Sequence, residues 1–561
     1  MTRQATLSAI RAQSDVPVLV IGGGINGVGV FRDLALQGVD VLLVEMNDFI
    51  SGGSAASSHM VHGGLRYLEN GEFRLVREAL AERNRLLQNA PHYVKPLPTT
   101  IPIFNYSSGL LNAPLKFLGL LDAPSQRGAL VIKAGLTMYD LFTARQQTLP
   151  RHRLHSRESS LARRPALNPD IVHTAQYYDA WMPYPERIGL ELVLDAEADH
   201  PGARALNYVR VVGATAQAVE LEDRLTGERV TVRPEVVVNA AGPWIDHAND
   251  ALNRGSHFIG GTKGSHIVVD HPALLAACAG DELFFENSDG RITLILPFMD
   301  RVLIGTTDIP IDDPDDAHCT EAEVDYMLEA VRVVFPDIRV GREHIVFRYS
   351  GVRPLPASTA ATPGQISRDH SIRTIEAGVR GDYPILSLVG GKWTTFRAFA
   401  EKVTDDVLHR LDVARRGHTA QIPIGGGADY PVRGRDGWLA KYQVETGYSR
   451  QRLETLLERY GTRALEVVAF CGMEDDAPLD SLPDYTRREI MFIAAHEKVV
   501  RLEDILLRRT ALAMRGVLSR AGVAELATWT GAALGWSEDV IAEQTANALD
   551  VLASLYGVQM D

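Results

Sequence analysis

The chain has 561 residues, 45% of them hydrophobic and 23% charged, which is too long for one ordinary core and ordinary in composition for a folded protein of two or more domains. Lys plus Arg number 57 against 71 Asp plus Glu, a net charge of −14; that balance argues against a nucleic-acid partner held mainly through phosphate contacts but leaves room for a small anion met by a few local cations. The three cysteines, Cys278, Cys319 and Cys471, are odd in number and far apart, which argues against a disulfide framework or zinc site and for a reducing compartment.

Residues 1–14 are polar, with no apolar signal core, and read as an N-terminal tail. No uninterrupted apolar run reaches the roughly 18 residues that span a bilayer, so the expectation is a chain that is soluble or rests on a membrane surface. Residues 16–21 (VPVLVI) predict a buried parallel strand. They run into Gly22-Gly23-Gly24-Ile25-Asn26-Gly27, a GxGxxG pattern, then a helical stretch to about Gln37-Gly38 and a second buried strand over 39–44 that ends at Glu45. Strand, glycine turn, helix, strand, acid is the order of a dinucleotide-binding unit. Gly22 permits the tight turn, Gly24 lets the backbone approach a pyrophosphate, and Gly27 lets the helix pack on the sheet. The helix N-terminus at Ile25 and Asn26 offers unpaired N–H groups and a partial positive charge. Glu45 can hold ribose hydroxyls and would repel a 2′-phosphate. This unit alone does not separate NAD from FAD. Residues 54–67 (SAASSHMVHGGLRY) are rich in small and hydroxylated residues, whose donors can run along an extended dinucleotide.

Residues 236–238 (VVV) lead into Asn239-Ala240-Ala241-Gly242, a buried strand ending in a small-residue turn suited to close cofactor contact. Gly390-Gly391-Lys392 precedes Thr394-Thr395 and a helical run, a second helix N-terminus able to face a cofactor. Motifs this far apart make the nucleotide domain discontinuous. Residues 312–316 (DDPDD) carry the charge of a calcium loop but lack its Asp-x-Asp-x-Asp-Gly order and closing Glu, so they read as an exposed acidic turn; His271, His344 and His370 show no metal-ligand spacing, and no metal site is expected. Residues 415–435 (RRGHTAQIPIGGGADYPVRGR) are dense in Gly, Pro and charge and predict a linker with a flexible GGG. Beyond it, residues 453–468, 488–500 and 502–514 show helical spacing. The expected divisions are the tail, an oxidoreductase region over 15–415, a linker over 416–435 and a helical C-terminal domain over 436–561.

Residues 22–29 (GGGINGVG), 57–69 (SSHMVHGGLRYLE), 71–83 (GEFRLVREALAER), 239–244 (NAAGPW), 263–269 (KGSHIVV), 304–308 (IGTTD), 349–355 (YSGVRPL), 366–370 (ISRDH), 390–397 (GGKWTTFR) and 496–510 (HEKVVRLEDILLRRT) together resemble the aerobic, FAD-dependent glycerol-3-phosphate dehydrogenases, in family order over nearly the whole chain. The resemblance implies an α/β (α+β) fold: a Rossmann-like FAD-binding domain interleaved with a substrate domain on a mixed or antiparallel sheet, followed by a helical C-terminal domain. It implies FAD held by Gly22, Gly24, Ile25, Asn26, Gly27, Glu45, Ser57, Ser58, His62, Gly63, Gly64, Ala241, Gly242, Gly391, Lys392, Thr394 and Thr395. It also implies oxidation of sn-glycerol 3-phosphate to dihydroxyacetone phosphate, a quinone electron acceptor, and a homodimer bound peripherally at the cytoplasmic face of the membrane.

A phosphorylated secondary alcohol needs fixed cations for the dianion, a base for the hydroxyl proton, and its C2–H held near the flavin. By the resemblance Arg353, Arg368 and Lys392 belong in the active site, with Arg66 and Tyr67; the planar fork of arginine suits phosphate, and Arg353 is also a catalytic candidate. His62 is the favoured base and His266 the rival. An unperturbed histidine titrates near 6.5, and a neighbouring arginine cluster lowers that value and keeps the ring neutral. Thr306, Thr307 and Asp308 are weaker candidates for flavin contact or support. Residues 110–121 and 129–142 are apolar and carry Lys116 and Lys133, a pattern that suits a membrane surface. Residues 182–194 (MPYPERIGLELVL) depart from the family's acidic-then-Arg pattern at the pocket rim. The alternatives are an oxidase passing electrons to O₂, a flavin-binding sensor, and an amine- or amino-acid-oxidising relative, which should not need Arg66, Arg353, Arg368 and Lys392 together.

Overall fold

The structure, a computed structural model, describes residues 3–64, 72–106, 128–143, 148–287, 289–357, 369–378 and 381–560. The expected first strand forms as Asp15–Ile21 and is buried along nearly its whole length. Its alternate residues enter two cores. Val18 and Val20 face the helix Ile25–Leu36, and Leu19 and Ile21 face the N-terminal helix Arg3–Ala12. Burial on both faces is why the strand reads as an unbroken apolar run rather than an alternating one. The polar tail of the sequence is thus a helix, with Leu7 and Ile10 buried against the sheet.

Among the described residues eight strands make this nucleotide sheet. Its main path runs Ser371–Ile375, Ile385–Val389, Arg229–Asn239, Asp15–Ile21, Val41–Val44, Ala203–Leu206, parallel except for the first pair. The hairpin Val209–Ala214 and Val219–Asp223 joins the first half of Arg229–Asn239 antiparallel. Between these visits the chain builds a second sheet, of ten strands among the described residues. Its pairs are antiparallel except where Glu282–Glu286 runs parallel to Lys95–Ile103, so the sheet is mixed. The two sheets are interleaved along the chain as expected.

The C-terminal region is helical but does not stand apart. Leu439, Leu453, Leu457 and Phe492 form a core of their own. Ile490, Ile493, Leu502, Ile505 and Leu552 share one core with Val268, Leu296 and Phe298 of the second sheet, each such side chain contributing roughly 1.5–3 kcal/mol by burial. The Gly-rich stretch before it is not a loose loop. Ile424 is buried in the nucleotide-domain core, and a Cβ at Gly426 would lie 1.9 Å from the Tyr460 carbonyl oxygen; here glycine permits backbone-to-backbone packing. The periodic stretch over 488–500 is helical only as Arg487–His496. Lys498 turns into the left-handed region, with φ 56°, and Glu497 turns inward to Arg187.

Candidate active site

The glycine turn is shaped by contacts that only glycine allows. Gly22 has φ +104°, and a Cβ there would lie 2.6 Å from the Ala240 carbonyl oxygen; one at Gly27 would lie 1.9 Å from the Gly22 oxygen. The helix Ile25–Leu36 starts at Gly24 with no side-chain cap from that residue, which leaves first-turn N–H groups for a ligand. Ile25 N–H donates to Ser54 Oγ at 3.0 Å. Glu45 accepts from Gly23 N at 2.7 Å and from Asn47 N at 2.8 Å; burial raises its carboxyl above the ordinary value, and these two N–H groups oppose the rise. Asn26 Nδ2 donates to the Gly390 carbonyl at 3.3 Å. A Cβ at Gly391, φ +90°, would strike the Asn26 amide. The first and last glycine motifs therefore meet at one point. Ala241, whose N–H donates to Asn239 Oδ1 at 3.2 Å, and Gly242, which faces open space, close the same side.

The second sheet supplies the opposing surface, and strand register explains its motifs. His266 aligns with Gly305 on one neighbouring strand and with Tyr349 on the other. Its ring stacks on Tyr349 at 4.9 Å and 12°, while a Cβ at Gly305 would intrude on that ring. Two residues along on the same face, Gly264 aligns with Gly351. Gly351 admits Ala56, which a Cβ would meet at 2.5 Å, and Gly264 lies under the Arg353 guanidinium. Three glycines thus clear a floor on which residues 53–59 and Arg353 rest. Arg353 Nη1 donates to Asp308 at 3.1 Å; its Nη2 donates to Thr306 Oγ1 at 3.1 Å and to the Thr307 carbonyl at 3.2 Å.

The alternate residues of the same motif face the other way. Lys263 Nζ, Ser265 Oγ and Thr307 Oγ1 all donate to the Glu323 carboxylate, at 2.8, 2.7 and 2.7 Å. Burial works to raise the Glu323 carboxyl, and the Lys263, Thr320, Thr307 and Ser265 donors bring it down to about 2. Lys263 is therefore committed to this ion pair inside the protein. Glu323 fixes Thr307 and so the loop that holds Arg353. In the sequence Glu323 belongs to none of the site motifs, and the signal that points to it is the period of two within KGSH, which turns Lys263 and Ser265 to the face opposite Gly264 and His266.

The two histidines occupy different surroundings. His266 is 2% exposed, and its Nε2 lies 2.8 Å from Ser58 Oγ. Burial foremost, then Arg353 and His59, holds its pKa well below 6.5, so the ring is neutral. His62 is half-buried. Its backbone N–H donates to Thr394 Oγ1 at 3.2 Å, and that hydroxyl donates back to the His62 carbonyl at 3.1 Å. Gly63 N–H points into a buried network: it meets Tyr139 Oη at 2.9 Å and Asp179 Oδ1 at 3.2 Å, and Asp179 also accepts from Tyr139 at 2.5 Å and Arg83 at 2.8 Å. Gly64 has φ +76°. Ser57 contributes its carbonyl to Tyr349 Oη at 2.7 Å. Lys392 precedes the turn Trp393–Thr395, in which Thr394 and Thr395 are buried. Arg66, Tyr67 and Arg368 lie outside the described residues. The acidic turn at 313–316 is exposed; His247, Asp313 and Asp315 bring ligand-type atoms within 4.8 Å of one another, and Trp244 Nε1 donates to Asp315 at 2.7 Å.

The model of the family described as FAD dependent oxidoreductase matches residues 17–404, and that of the C-terminal domain of alpha-glycerophosphate oxidase matches residues 417–541. The chain belongs to the FAD-dependent oxidoreductase family. It is 37% identical to a glycerol-3-phosphate dehydrogenase of Synechocystis sp., covering 91% of this chain and 93% of that one. It is 34% identical to a D-erythritol 1-phosphate dehydrogenase of Brucella abortus, covering 88% and 93%. The solved glycerol-3-phosphate dehydrogenase of Bacillus halodurans, complexed with FAD, has the same fold, with a TM-score of 0.75, 24% identity, and coverage of 98% and 97%. The residues of this FAD-dependent oxidoreductase fit its family's cofactor. Besides the glycine turn and Glu45, Asn26 Oδ1 and Thr395 Oγ1 are buried without a hydrogen-bond partner in the protein, as polar groups facing a bound dinucleotide would be.

Proposed function

We propose that this chain oxidises sn-glycerol 3-phosphate to dihydroxyacetone phosphate and passes the electrons to a quinone. The observation that carries the reading is Arg353, held by Asp308, Thr306 and Thr307 on a glycine-cleared face beside a buried neutral histidine, against the 53–59 segment whose Ser54 meets the first helical N–H of the glycine turn. FAD, when bound, supplies the two-electron acceptor. The protein's part is charge and orientation. Arg353 and Lys392, with Arg66, Tyr67 and Arg368, hold the phosphate dianion. His62 takes the proton of the C2 hydroxyl as the C2–H leaves with its electron pair. His266 supports the segment that carries Ser58 rather than meeting the substrate, because its Nε2 is engaged and its ring is enclosed.

Peripheral membrane contact at the cytoplasmic face, as a homodimer, belongs to the same proposal. Among the described residues no helix is long and apolar enough to cross a membrane. The helix Ala129–Thr143 buries Ile132, Leu136 and Tyr139 and leaves Leu130 and Leu141 57% and 65% exposed, with Lys133 also exposed; that arrangement suits an interfacial helix. The other apolar candidate, residues 110–121, lies outside the described residues.

The test is anaerobic mixing of purified holoprotein with sn-glycerol 3-phosphate while flavin absorbance near 450 nm is followed. Bleaching is expected with this ester and not with glycerol or amino acids. Faster bleaching with D-erythritol 1-phosphate would reassign the substrate. Peroxide release in air at the turnover rate would replace the quinone by O₂.

A further inference from the structure

The motif at 496–510 (HEKVVRLEDILLRRT) lies far in sequence from the cofactor turn, yet its arginines end beside it. Asp48 is fully buried. It accepts from Arg508 Nε at 2.6 Å, from Arg509 Nη1 and Nη2 at 2.6 and 3.0 Å, and from Asn207 Nδ2 at 2.9 Å. Burial alone would raise its carboxyl, but Arg509 and Arg508 outweigh that and hold it well below the ordinary range. The arginines are fixed in turn: Arg508 Nη2 donates to Asp504 at 2.6 Å, and Arg509 Nε donates to the Glu497 carbonyl at 2.8 Å.

Asp48 lies in the short loop that backs the glycine turn. That loop begins at Glu45, which caps Gly23 N–H. It ends at Ile50, whose N–H donates to the Gly23 carbonyl at 3.0 Å. Between them Phe49 packs so close beneath Gly23 that a Cβ there would lie 2.8 Å from its ring. The loop therefore grips Gly23 at its N–H, its carbonyl and its Cα. Its Asp48 carboxylate is held by a bidentate fork and a second guanidinium, a geometry that fixes orientation as well as position.

We propose that Arg508 and Arg509 are positioning residues for the cofactor: through Asp48 the C-terminal region holds Glu45 and the Gly22-Gly23 turn in the form that binds the adenosine half of FAD. The proposal rests on the FAD reading above. In this arrangement the helical C-terminal region acts on the cofactor site through Asp48.

The test compares full-length holoproteins by the FAD they release on dilution, read by flavin fluorescence. Arg509→Gln and Asp48→Asn should each raise the FAD dissociation constant at least tenfold, and the double variant should be no weaker than the weaker single one, because both break the Arg509–Asp48 pair. Displacement of FAD by ADP should weaken by the same factor, while displacement by FMN should not. Lys498→Gln is the control. It removes the 2.7 Å Lys498–Glu197 side-chain pair from the same segment and leaves in place the Lys498 carbonyl that accepts from Asn207, and it should stay within twofold of the parent. An unchanged FAD affinity in folded Arg509→Gln overturns the proposal, as does an equal loss in Lys498→Gln. Should Arg509→Gln fail to fold, Arg509→Lys keeps the charge but not the fork, and an affinity equal to the parent's overturns the proposal there too. A parent protein that purifies without FAD and takes none up defeats the cofactor reading itself, before any variant is made.

Discussion

The glycine turn and the glycine-cleared floor do similar work by different means. The turn is largely local: Gly27 closes on Gly22 and Glu45 caps Gly23 within residues 22–45, and the Ala240 carbonyl beside Gly22 is brought in by the neighbouring strand. The floor is assembled from Gly264 and His266, Gly305, and Gly351 with Tyr349 and Arg353, on three strands that meet only in the folded sheet. A register slip of one residue would turn Lys263 and Ser265 toward the face that carries Arg353 in place of Gly264 and His266. The turn can tolerate change in distant parts as long as its backing loop holds. The floor depends on register, and register depends on the buried Glu323 cluster behind it.

The largest expected effect comes from removing the charge on the floor. Arg353→Ala should lower kcat/KM for glycerol 3-phosphate about a thousandfold, since losing a charged partner of a dianion costs roughly 2–5 kcal/mol. FAD content should hold, and steady-state kinetics beside the flavin-to-protein absorbance ratio would show it; full activity without this side chain would leave phosphate binding to other groups. Glu323→Gln should come next. It leaves the Lys263 ammonium buried without its counter-charge, a loss of about 3 kcal/mol in unfolding free energy, and it should raise KM about tenfold by releasing Thr307. A denaturant midpoint and a Michaelis curve on one preparation check both; a stability loss with unchanged KM would reduce Glu323 to a scaffold residue.

How much was legible follows from the same contrast. The strand, turn, helix and acid over 16–45 could be read because each element needs only its neighbours. The mixed second sheet and the helical tail were legible as kinds of structure. Glu323 was not, because Thr320-x-x-Glu323 satisfies a helix capping box, and its second role, on Lys263, Ser265 and Thr307, requires the strands to be in place. The run over 488–500 has helical spacing throughout, yet the helix stops at His496 because burying Glu497 against Arg187 outweighs local propensity. The GGG at 425–427 carries the composition of a flexible loop, and composition alone does not tell a loose glycine from one pressed against the Tyr460 carbonyl.

Acid should act on a buried histidine beside the floor. His59 is buried on the floor side, its Nδ1 3.1 Å from the Met182 carbonyl, and burial lowers its pKa to about 4. Between pH 6.5 and 4 the unfolded chain binds a proton here that the folded chain does not, so stability falls as pH falls through that window, by about 1.4 kcal/mol per pH unit. His59→Asn, which tolerates the φ of 56° at this position, should flatten that limb of the curve in urea titrations. An unaltered limb would place the acid sensitivity in another group.

The smallest effect tests the network behind Gly63. Tyr139→Phe removes a hydroxyl that donates to Asp179 and accepts from Gly63 N–H, while Asp179 keeps Arg83 and the longer contact to Gly63. With a charged acceptor still in place the loss should be about 1 kcal/mol, and kcat should fall less than tenfold. Asp179→Asn takes the charge from Arg83 as well and should cost more. If the two variants were equally mild, the loop at His62 would owe its position to Thr394, whose hydroxyl brackets the His62 backbone, and the network around Asp179 would serve only the packing of the helix that carries Tyr139.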